Sequence, residues 1–260
     1  MSSPSSNHVV QSVGTARLIA GPVGAVGGAF MLHPEVLGPG KEAGYGGFAY
    51  YVVGRGGVLG DVDARVVSSA FGFFSPGLVA KLWNDGVKVE GARAGADRYA
   101  AACADFGRRR LGGFAGADRL ATLIDRITSS ADNSALALFA GWQAQALPDD
   151  PAGRCYQLLH VLRELRGSVH IVAVVAAGLT PLEAVIANPA NSSPENGSAA
   201  QAERFGWTGP FPDADALRAR FERAETTTDE IMGRFISVLD ADEQTELIRL
   251  VNGVQTLVSH

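Results

Sequence analysis

Disulfide and zinc chemistry are the first classes that this chain of 260 residues lacks material for. It has two cysteines, Cys103 and Cys155, too few for a disulfide framework or a four-cysteine zinc site. Both fall in apolar helical patterns, where a buried thiol is the plain expectation. Lysine is nearly missing as well: Lys41, Lys81 and Lys88 are the only three. Lys+Arg 22 against Asp+Glu 27 leaves −5, so a nucleic acid would need a local basic patch. Long period-2 alternation is almost absent, and only residues 87–89 hint at a strand. No Ser/His/Asp order, phosphate loop or dinucleotide fingerprint is present. Neither a cofactor nor a metal is expected. The uncharged run 18–31 is too short to span a bilayer, contains Gly21, Pro22, Gly24, Gly27 and Gly28, and lacks a cleavage pattern. No membrane partner and a cytoplasmic location are expected.

What is abundant is glycine, 32 residues without a G-X-Y period, and hydrophobic residues at 47%. Helical periodicity dominates. Leu120, Leu123, Ile124 and Ile127 stand at i, i+3, i+4 and i+7. Further helices are expected over 92–111, 134–147, 213–239 and 242–258. Asp150-Pro151 and Thr180-Pro181 each place a cap before a proline at N1. Gly167 is expected to break the helix that begins at Pro151, and 54–57 (Gly-Arg-Gly-Gly) to form a loop. Residues 1–13 are expected to be a disordered tail that includes His8, and His260 to lie in a frayed end.

Residues 65–83 (RVVSSAFGFFSPGLVAKLW) and 170–188 (HIVAVVAAGLTPLEAVIAN) align without a gap. Ser75-Pro76 meets Thr180-Pro181, and the same offset brings Tyr51 onto Tyr156. Each copy is a short apolar helix, a tight turn and a capped helix, the helix-turn-helix pattern. The expected fold is therefore mainly α, a duplicated winged-helix-like, helix-turn-helix protein with little strand. Its first half would cover 14–113, and its second half, with the C-terminal helices, 114–260.

Arg163-Glu164-Leu165-Arg166-Gly167-Ser168-Val169-His170, followed by Ala176-Ala177-Gly178-Leu179-Thr180-Pro181-Leu182-Glu183-Ala184, resembles the pattern L-R-E-H-R-G-D-G-H…A-A-G-L-x-P-x-E-A. That pattern belongs to a largely actinobacterial family of SalK-like proteins with a MarR-like helix-turn-helix domain. Pro148-Asp149-Asp150-Pro151 and 69–79 (SAFGFFSPGLV) match too, and the resemblance covers about 14–258. Leu165 replaces a common histidine, and Ser168-Val169 replaces Asp-Gly. The resemblance implies a winged-helix-like fold and a place in specialised metabolism, without a defined activity.

A DNA reader needs cations for phosphates and side chains for base edges. The helix 180–188 contains no Lys or Arg, and the only basic cluster, Arg108-Arg109-Arg110, reads as a solvated helix end. DNA is therefore not the expected partner. The aromatic crowd Phe48, Tyr50, Tyr51, Phe71, Phe73, Phe74 and Trp83 reads either as core or as a pocket for a small apolar or aromatic molecule. The candidate ligand-binding residues are Tyr51, Arg55, Phe74, Trp83, His160, Glu164 and Arg166. His160 and Glu164 stand at i, i+4, the spacing of an oriented imidazole. His170 is the candidate base of a biosynthetic enzyme, with Tyr51 or Arg55 holding substrate. A MarR-like regulator and a homodimer complete the expectations.

Overall fold

The computed structural model describes residues 6–258 apart from 194 and 196. Among these residues the chain forms thirteen α-helices and no strand. The first six are α1 (Ser6–Ala29), α2 (Pro34–Glu42), α3 (Ala49–Gly56), α4 (Ala64–Phe71), α5 (Pro76–Glu90) and α6 (Ala92–Leu111). Then come α7 (Ala117–Ser130), α8 (Ala137–Gln143), α9 (Pro151–Ala176), α10 (Pro181–Ala187), α11 (Ala199–Arg204), α12 (Ala214–Ile236) and α13 (Ala241–Val258). The mainly-α, helix-turn-helix expectation holds. The only β-type pairing among the described residues is an isolated bridge between Ser193 and Gly197.

Helix α9 is the axis of the molecule. It packs on α1, α6, α7, α8 and α12, so it is apolar nearly all round, as a central helix must be. Its start is fixed locally: Asp150 caps it by accepting the Gly153 N–H at 2.8 Å, and Pro151 sits at N1. Gly167 does not break it. A glycine costs a helix about 1 kcal/mol relative to alanine, and the burial of Leu165, Ser168 and Val169 around it exceeds that cost. Helix α1 likewise runs unbroken through Pro22 and its glycines. A Cβ on Gly27 would lie 2.9 Å from the Leu159 carbonyl and from Arg163 Cβ, so glycine there lets α1 and α9 touch. Asn7–Glu42 is long and apolar enough to cross a membrane by composition, but 44% of its apolar 18-residue stretch is buried inside the molecule.

The expected tail is also corrected from residue 6 onward. Residues 6–13 are helical, and His8 Nε2 lies 2.9 Å from the Ser237 carbonyl oxygen. Residues 1–5 and His260 lie outside the described residues. The expected loop at 54–57 is the end of α3 and a turn of 3-10 helix, all buried. Gly54 is there because a Cβ would sit 2.4 Å from the Tyr99 ring. Residues 87–89 belong to α5, not to a strand.

Both helix-turn-helix segments carry the caps read from sequence. Ser75 and Thr180 accept from the third residue of their helices, each followed by proline at N1. Glu183 completes a capping box at Thr180. Helices α9 and α10 meet at 101°, within the usual range of the motif. The core has two parts. The larger surrounds α9; the smaller joins Val174, Leu179 and α10 to Ala202, Leu217 and Phe221.

Candidate functional site

A cavity of about 480 Å³ lies between α1, α3, α4, the C-terminal half of α9 and α11. That volume is within the usual range for small-molecule sites. Its lining comes from both sides of residue 113, from Ala20–Phe74 on one and Leu138–Phe205 on the other.

Of the residues singled out from sequence, Tyr51, Arg55, Phe74, Glu164, Arg166 and His170 line this cavity. Helix geometry explains the grouping on α9. Arg163, Arg166, Gly167 and His170 recur at i, i+3, i+4 and i+7, one stripe of one face. Two candidates lie elsewhere. The Trp83 indole is buried and donates to the Val62 carbonyl at 3.1 Å, within the core beside Gly56. His160 is fully buried, with Nδ1 3.1 Å from the Gly27 carbonyl and its ring edge-on to Trp142 and Phe30. Burial holds its pKa down at about 4. Neither lines the cavity, because each belongs to the layer behind it.

The aromatic wall is formed by Phe48, Tyr51, Phe71, Phe73 and Phe74, with Phe205 of the turn after α11. Phe74 and Phe205 stack with centroids 4.4 Å apart. Tyr50 is not part of it; it packs edge-on to Tyr99 in the core.

The floor is an ion cluster. Arg55 donates Nε and one terminal nitrogen to the two oxygens of Glu164, each at 2.9 Å, and its other terminal nitrogen to Tyr51 Oη at 3.0 Å. Arg163 adds a bond to Glu164 at 2.9 Å. Burial alone pushes a carboxyl pKa up. Here Arg55, His160 and Arg163 outweigh that and hold Glu164 at about 2. The guanidinium of Arg55 also lies over the Phe71 ring at 4.6 Å.

His170 sits against α12. Its Nδ1 is 3.0 Å from Thr228 Oγ1, and that hydroxyl already donates to the Ala224 carbonyl at 2.7 Å. Thr228 must therefore accept, which places the His170 proton on Nδ1 and leaves Nε2 as an acceptor. Nε2 lies 3.4 Å from Glu225, whose other oxygen binds Arg166 at 2.7 Å. Burial lowers the His170 pKa to about 4; Glu225 opposes the shift and Arg166 adds to it. The ring is neutral near pH 7.

Sequence reasoning missed Arg163, Arg204 and Phe205. Arg163 had a signal, its place seven residues before His170 on the same helix face. Arg204 and Phe205 had none, since α11 reaches the cavity only through the fold.

The reading of Arg108-Arg109-Arg110 as a helix end is matched by their partners. Arg108 pairs with Asp105 and Asp150, and Arg109 and Arg110 both pair with Glu35. Helix α10 has no exposed residue, and Ala184, Val185, Ile186 and Ala187 are buried. Cys103 and Cys155 are buried thiols, as expected. Among the described residues no group of His, Cys, Asp and Glu is arranged to hold a metal.

The sequence model of a helix-turn-helix family covers residues 16–220. No curated protein and no solved structure matches the chain.

Proposed function

Since the chain belongs to that helix-turn-helix family, we propose that it binds a small, largely apolar or aromatic molecule in the cavity between its two halves. The observation that carries this reading is the convergence of the aromatic wall and the Arg55–Glu164 cluster on one cavity of ligand size. The helix-turn-helix elements serve as scaffold. Support comes from α10, which has neither a cation nor an exposed face to enter a major groove. The duplicated halves, the SalK-like and MarR-like kinship and a role in specialised metabolism belong to the same reading, as do a cytoplasmic location and a possible homodimer.

Native mass spectrometry of freshly purified protein tests it. We expect a co-purifying small molecule that is lost in Ala70→Phe, which fills the cavity. A bound molecule retained by that variant contradicts the reading.

A second reading, a cofactor-independent biosynthetic enzyme, is favoured by one observation: His170, a neutral imidazole in the cavity lining whose Nε2 lies 3.4 Å from Glu225. Turnover of a metabolite that His170→Gln abolishes, with the melting temperature retained, supports it. A MarR-like regulator predicts instead a shifted promoter fragment in a gel at low salt.

A further inference from the structure

The lining of the cavity is charged against the trend of the molecule. The chain carries −5, yet the lining contains Arg55, Arg163, Arg166 and Arg204 against the single carboxylate of Glu164. Glu225, outside the lining, neutralises one more cation by pairing with Arg166. Two positive charges remain, beside a neutral histidine and an aromatic wall.

The four arginines are not equally committed. Arg55 spends all three nitrogens on Glu164 and Tyr51. Arg163 uses one terminal nitrogen on Glu164. Arg166 uses one on Glu225, and its Nε is buried without a hydrogen-bond partner among the described residues. Arg204 makes no ion pair among the described residues. Arg163 and Arg166 stand on the same stripe of α9, and Arg204 enters from α11. A buried donor without an acceptor costs free energy until an acceptor reaches it, and the excess of positive charge makes an anion the favoured one.

Resting on the reading of this cavity as a ligand site, we propose that its occupant is an aromatic acid. The ring lies against Phe71, Phe74 and Phe205, and the carboxylate takes the unspent N–H groups of Arg163, Arg166 and Arg204. Guanidinium pairs bind carboxylates through charge-assisted bonds, and the planar fork selects the acid over a hydroxyl of similar size.

Calorimetric titration with matched pairs tests the proposal: benzoate against benzyl alcohol, and 2-naphthoate against 2-naphthalenemethanol. We expect the acid of at least one pair to bind about tenfold or more tightly than its alcohol. Arg204→Gln, at an exposed residue, should reduce that margin and leave the melting temperature unchanged. Alcohols that bind as well as their acids overturn the acid preference and leave the cavity reading standing. An acid preference untouched by Arg204→Gln overturns the assignment of Arg204. Failure of every acid and every alcohol to bind overturns the cavity reading itself.

Discussion

Glu164 is a carboxylate without exposed surface that stays ionised because Arg55 and Arg163 grip it. Its neighbour His160, and His170 further along α9, are the opposite case, imidazoles that burial keeps neutral. Both have pKa values near 4 in the folded protein against 6.5 in an ordinary setting. Between those values the unfolded chain binds more protons than the folded one. This contribution to stability is therefore complete above pH 6.5 and is lost as pH falls toward 4, by about 3 kcal/mol for a fully buried ring such as His160. We expect the melting temperature to drop steeply from pH 7 to pH 4, and His160→Gln to flatten that profile. A melting temperature constant across this range contradicts the assignment. His170→Ala separates two roles of that ring. As a ligand contact, it should weaken binding about tenfold or more while the fold survives. Unchanged affinity with a clearly lowered melting temperature would make His170 a packing residue against Thr228 and Phe221.

The pair Arg55–Glu164 joins α3 to α9 across 109 residues of sequence. Removing one partner of a buried pair strands the other charge. Arg55→Met should therefore cost about 3–5 kcal/mol in urea unfolding, and Arg55→Met with Glu164→Met should recover much of it. Equal stability of the wild type and Arg55→Met would contradict the buried pair. Gly54→Ala, one residue away, should cost about 1–3 kcal/mol by driving a Cβ into Tyr99 and parting α3 from α6. The starts of three helices were legible because capping is local chemistry: Asp150-Pro151, Thr180-Pro181 and Ser75-Pro76 can be read without knowing the fold. Helix breaks were not legible. Gly167 and the glycines of α1 look like breakers in isolation, and only neighbouring helices show that packing overrides their propensity. The stripe from Arg163 to His170 was hidden by the expected break at Gly167, whereas six-residue α11 carried no periodic signal of its own.

At the scale of the molecule, the two core clusters meet where α9 passes from the bundle to the helix-turn-helix end, and the cavity opens at that junction. Its excess of positive charge lines the cavity, while the basic cluster at Arg108-Arg109-Arg110 is tied to acids. We therefore expect no sequence-specific binding of duplex DNA at physiological salt. A specific complex contacted by α10 would overturn the scaffold reading. The central claim, that the cavity is a ligand site, is tested most directly by a crystal structure of the protein soaked with 2-naphthoate. The account predicts the ring between Phe71, Phe74 and Phe205 with its carboxylate on the arginines of α9 and α11. A cavity that stays empty at saturating 2-naphthoate and at saturating concentrations of the other three probes, or a ligand bound only on the outer surface, would contradict it.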